Sequence, residues 1–160
     1  MLNINELDLM EEHWNLYKQD YTTEMILLAK HLGVSVDDAE SHIDDEDYFI
    51  LTDKEADDYV YGIIADNVWS FNPSFLAAHT GVTEDAIEKL QEMSEDANDA
   101  LTAMIKDFDY FVGDAVSCDG RGHYLSSYDG NEHEVRYSSV ERDGNAYKVK
   151  DTYYYIYRRN

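Results

Sequence analysis

Two stretches of the chain follow one plan. LAKHLGVSVDDAESHI at 28–43 and LAAHTGVTEDAIEKLQ at 76–91 lie 48 residues apart. Leu28/Leu76, Ala29/Ala77, His31/His79, Gly33/Gly81, Val34/Val82, Asp37/Asp85 and Glu40/Glu88 are identical, and Ser35/Thr83 are equivalent caps. Each copy has a glycine that can close one helix and a Ser or Thr that can cap the next. Ala39 or Ile87 then gives the second helix a residue to pack inward. The repeat predicts two helix-turn-helix-like pairs. A DNA reader would carry bases on the second helix. These carry Asp37, Asp38 and Glu40, then Glu84, Asp85 and Glu88, with Lys89 the one base. Phosphate contact needs positive charge, so DNA reading is excluded.

The remaining helical signals fall around these pairs. Leu7, Met10, Trp14 and Tyr17 predict a helix over 5–19. Another is expected over 22–33, closed by Gly33. Thr52 and Glu55 have capping-box spacing before a helix near 53–68, with Ala56, Val60, Ile63 or Ile64, and Asn67 or Val68 on its apolar face. Asn72-Pro73 starts a helix that Gly81 ends, and Thr83 caps its successor. Ser94 is read as the cap of one long helix. Ala97, Ala100, Leu101, Met104, Ile105, Phe108, Phe111, Val112 and Ala115 keep the helical period, which makes it the centre of the core. Texture changes near 118. EVRYSSV, AYKVK and TYYYIYR read as strands and RDGN as a hairpin turn. The class is α+β: an acidic helical lobe followed by a small antiparallel sheet. We expect a single compact unit over 1–160, with an acidic lobe at 1–117 and a tyrosine-rich β lobe at 118–160.

Charge narrows the function. The chain has 35 Asp/Glu against 12 Lys/Arg, a net of −23, yet it is 44% hydrophobic with enough Tyr, Phe and Trp to argue against disorder. Residues 1–100 hold a net −21 and residues 101–160 only −2. Twenty-one charges correspond to about 36 Å of duplex, and a 100-residue unit is about 34 Å across. Such a chain repels nucleic acid and anionic membranes and attracts basic partners. Helix dipoles account singly for Asp37, Asp38, Asp53, Glu55, Glu84, Asp85, Glu95 and Asp96. They do not account for the scarcity of bases near helix C-termini, for DDED at 44–47 (Asp44, Asp45, Glu46, Asp47), or for Asp57 and Asp58. Salt adaptation or solubility is the competing explanation. The candidate partner-binding set is Asp37, Asp38, Glu40, Asp44, Asp45, Glu46, Asp47, Asp53, Glu55, Asp57, Asp58, Glu84, Asp85, Glu88, Glu92, Glu95, Asp96 and Asp99.

A second candidate is the loop SCDGRGHYLSSYDGNEHEV at 117–135. Arg121 lies between glycines that permit close approach to a phosphate or carboxylate, and Asp119, His123 and Asp129 complete the loop set. The plainer reading pairs Arg121 with Asp119, Asp129 or the acidic lobe. Cys118, His123 and His133 are potential metal ligands, but their spacing fits no strong zinc pattern. EF-hand, P-loop, dinucleotide and nucleophile-elbow patterns are absent. Ser126, His123 and Asp129 sit too close in sequence for a triad. His31 and His79 read as structural residues at helix C-termini. We expect no enzyme, no metal and no cofactor. One cysteine excludes an internal disulfide. With no signal peptide or apolar run of about 18 residues, a cytoplasmic site, that of a host cell for a phage protein, is expected.

WSFNPSFLAAHTG at 69–81, DGRGHYLSSYDG at 119–130 and YYIYR near the end resemble stretches of small acidic proteins encoded by phages and mobile elements. The likeness covers about residues 50–160. Most members of that set have no known activity, so it implies context more than mechanism. In kind, the chain is similar to DNA-mimic anti-CRISPR and anti-restriction proteins. That similarity implies an inhibitor occluding the groove of a basic nucleic-acid-binding host complex, a Cas effector or a restriction enzyme, without itself binding DNA, RNA or membrane. The sheet lobe would orient it or form a homodimer. The alternative is a non-catalytic adapter that uses the 119–130 loop and the β lobe.

Overall fold

The computed structural model describes residues 21–160, apart from the side chains of residues 141–143 and 147. The helix expected over 5–19 lies outside the described residues. The protein is α+β, with eight α-helices and one three-stranded antiparallel sheet among the described residues. The chain divides into two compact units. One is Asp57–Tyr124; the other joins the segment up to Ala56 with Leu125–Asn160. The texture change near 118 falls within a helix of the first of these, not at a boundary.

In the terminal unit, helices α1 (Thr23–Leu32) and α2 (Val36–Asp44) form the first predicted pair. Thr22 and Ser35 accept bonds from Met25 N and Asp38 N, and Gly33 closes α1 at φ 69°. Strand β1 (Tyr48–Thr52) follows, formed by the apolar run after DDED. The expected AYKVK and TYYYIYR strands are one, β3 (Ala146–Arg158), paired with β2 (His133–Asp143). Asp151, between the two runs, stands opposite Ser138 in the ladder and accepts from its hydroxyl at 2.6 Å. The order is β1-β3-β2. Ile50 stands opposite Ile156 and packs with Leu27, Leu28, Ala29 and Ala39 of the helix pair. One residue along, Leu51 and Tyr157 are buried on the other face.

The central unit holds most of α3 (Asp53–Asp66), then α4 (Pro73–Thr80), α5 (Glu84–Gln91), α6 (Asn98–Met104), α7 (Phe108–Asp119) and α8 (Arg121–Leu125). Thr52 and Glu55 start α3 with reciprocal bonds of 3.3 Å. Ala56, Val60 and Ile64 are buried along it. Asn72, Gly81 and Thr83 bound α4 and α5 as expected. Leu76, Ile87, Leu101, Phe111 and Ala115 are buried, and Phe71, Phe75 and Phe111 form an aromatic cluster. A short 3-10 turn at Val68–Ser70 is tied in by two side chains. Asn98 accepts from Trp69 N and donates to Ala65 O, and Gln91 donates to the carbonyls of Trp69 and Phe71.

The single helix expected from Ser94 through Ala115 is corrected. A 3-10 turn at Ser94–Ala97, α6 and α7 replace it. Ser94 does not cap; its φ is 55°. Ile105 is extended, Lys106 N bonds His79 O, and Asp107 caps α7 through Tyr110 N. Leu101, Ile105, Phe111 and Ala115 of the expected face still point inward, whereas Ala100 and Met104 are exposed.

Candidate interaction surfaces

Helix α5 turns Ile87 fully inward, while Gln91 is spent on the Trp69 turn. Its remaining polar positions face solvent. Glu84, Asp85, Glu88 and Glu92, with Glu95, Asp96 and Asp99 beyond, are all exposed. None of these seven side chains makes a hydrogen bond or ion pair among the described residues. Lys89 is the one base in the ridge, and the whole central unit holds three bases against fourteen acids. From Glu84 to Glu92 the ridge carries a net −3. Nine helical residues span about 13 Å. That length of DNA holds about four phosphates on one strand and about eight on a duplex. The ridge approaches single-strand charge density and falls well short of a duplex.

The matching pair in the terminal unit presents a second group. Asp38, Asp44, Asp45 and Glu46 are exposed, with no side-chain partner among the described residues. Asp44 and Asp45 stand at the C-terminal end of α2, and Glu46 follows at φ 56°. Other members of the candidate set have structural duties. Asp37 accepts from Tyr21 at 2.8 Å, and that bond leads the causes raising the Tyr21 pKa. Glu40 is half-buried. Asp47 receives Asn160 at 2.9 Å and lies 3.1 Å from His42 Nδ1. Glu55 closes the capping box, Asp53 and Asp58 are both exposed, and Asp57 pairs with Arg121 at 3.0 Å.

That pair settles where Arg121 goes: onto the acidic helix α3, with its side chain largely buried. Asp119 receives Tyr124 at 3.2 Å. Burial first, then the Asp119 charge, pushes the Tyr124 phenol well up. Asp119, His123 and Tyr124 share an open cleft of about 300 Å³ with Ile63, Asn67, Ser70, Phe71 and Asn72. Asp129 is held elsewhere, in the terminal unit, where it closes a turn through Asn131 N and Ser126. Ser126 is buried and donates to Arg158 O at 2.8 Å, which fixes the turn against the last residue of β3. Cys118 is exposed, and His133 packs against His31 at 4.9 Å. Among the described residues no three His, Cys, Asp or Glu are disposed to hold a metal.

The two repeat histidines diverge. His31 is exposed, whereas His79 is buried, 2.7 Å from Asp114 and ringed by Phe75, Tyr110 and Phe111. A second cleft, of about 330 Å³, was not visible in the sequence. Asp57, Val60, Tyr61, Asp109, Val112, Gly113 and Val116 line it. Its signal is weak: a helical glycine one turn from valines of α7, and a tyrosine 48 residues before its carboxylate partner. No helix among the described residues is long and apolar enough to cross a membrane. Compared with known protein families, curated proteins and solved structures, the chain matches none.

Proposed function

We propose that the chain is a phage-encoded inhibitor of a host nucleic-acid-targeting defence complex, a CRISPR effector first among them. It acts without catalysis, by setting carboxylates where the target's groove expects phosphates. One observation carries this reading: unpaired acids stand where folding disfavours them. Asp44, Asp45 and Glu92 lie at the negative ends of α2 and α5. A carboxylate there opposes the helix dipole, by about 0.3–1 kcal/mol each. Glu46 adds a left-handed backbone that a non-glycine residue resists, at about 1–2 kcal/mol. Solubility needs net charge, but not at these places. Both helix pairs share the feature, so the repeat presents carboxylates at the ends of rigid elements. The near-single-strand density along α5 favours grooves that hold one displaced strand or one backbone.

The test is affinity capture from a bacterial lysate with active CRISPR and restriction complexes, at low and high salt. The expected result is capture of a nuclease complex that competitor DNA and salt displace. Glu88→Lys, Glu92→Lys and Glu95→Lys together should abolish it. Capture that survives this change, and a matching one at 44–46, overturns the proposal.

A further inference from the structure

The second cleft of the central unit differs in character from the acidic ridge. Its floor is apolar: Val60 and Val112 are buried and Val116 half-buried. Gly113 leaves the wall open, since a Cβ there would meet nothing within 4 Å. Asp57 and Asp109 contribute the carboxylates. Arg121 already engages Asp57, so Asp109 is the carboxylate with capacity to spare. Tyr61 donates to its Oδ1 at 3.1 Å, and Oδ2 has no partner among the described residues. The Tyr61 ring is fixed twice, by that bond and by edge-on packing with Phe108 at 5.3 Å. It remains about two-fifths exposed, at 41%.

An aliphatic floor, an ordered aromatic ring and a carboxylate with a free oxygen together match one side chain. Arginine has an apolar stem, a guanidinium that stacks on aromatic faces and a fork for a carboxylate. The chain uses the same chemistry internally, with Arg158 3.7 Å over Tyr128 and Arg159 4.2 Å over Phe49. A lysine would fill the floor but gain less from the ring and the planar carboxylate. The surrounding excess of acids draws a cation in, and the prearranged ring and carboxylate lower the ordering cost on binding.

We infer that this cleft seats one arginine side chain of a basic protein partner. The partner's class rests on the proposed function, while the cleft's chemistry stands on its own geometry. The ridge would steer the partner and the cleft would fix its register.

The experiment is an amide NMR titration of the full chain with N-acetyl-arginine amide, against N-acetyl-citrulline amide as the neutral isostere. Saturable shifts at Tyr61, Asp109 and Gly113 are expected for the arginine probe only. Gly113→Leu fills the opening with a better helix former, and Asp109→Asn removes the charge at constant size. Asp109→Asn should weaken binding about tenfold, as expected when a charge-assisted contact is lost, and Gly113→Leu should abolish the saturable shifts by occupying the space the side chain needs. Glu88→Lys with Glu92→Lys should leave the shifts in place. Equal response to citrulline, shifts that follow the ridge, or insensitivity to Gly113→Leu overturns the inference. Such a failure leaves the mimicry reading standing, because DNA-competed capture is read on the other variants.

Discussion

At the scale of single residues, Asp47 shows how one carboxylate joins the end of a helix to a residue beyond the last strand. Bonds from Asn160, then from His42, hold its carboxyl below the usual range. A lowered carboxylate pKa adds stability above the unfolded value of about 3.9, lost as pH falls through the folded value. Asp47→Asn should therefore be less stable than the parent at neutral pH, with the gap closing below about pH 4. Urea unfolding across that range measures it. Glycines give a second contrast. Gly62 lies inside α3 with open space at its Cβ, whereas Gly33 sits at φ 69°. Gly62→Ala should stabilise by about 0.5–1 kcal/mol, and Gly33→Ala should destabilise by about 1–2 kcal/mol. Shifted urea midpoints at constant slope would show both.

At the scale of elements, α2 and α5 share capped N-termini and acidic C-terminal ends. The caps serve folding; the C-terminal acids oppose it. Asp45→Lys and Glu92→Lys should each stabilise the protein by about 0.3–1 kcal/mol while weakening partner capture. Thermal unfolding and capture, read on the same variants, should move in opposite directions. If both fall together, these acids belong to the fold.

For the whole molecule, a net −23 sets two opposite salt responses. Salt screens self-repulsion, so the urea midpoint should rise between about 0.02 and 0.5 M potassium chloride, where the Debye length falls from over 20 Å to under 5 Å. Partner association should weaken over the same range.

Local chemistry along the chain dictated the helix pairs, the Thr52–Glu55 box, the Asn72-Pro73 start and the hairpin. Each depends on bonds between residues a few positions apart, so residue types at fixed offsets reveal them. Long-range packing decided the rest. β1 pairs with a strand about a hundred residues later, and Lys106 N meets His79 O, which interrupts a helix whose period never falters. Residues 125–160 joined the first helix pair, although texture placed them apart. The acids were legible as a set, but not their division into engaged and unengaged members. Asp57 meets Arg121 across 64 residues and Asp109 meets Tyr61 across 48. No spacing encodes such pairs, because a folded neighbour is chosen by where the elements pack.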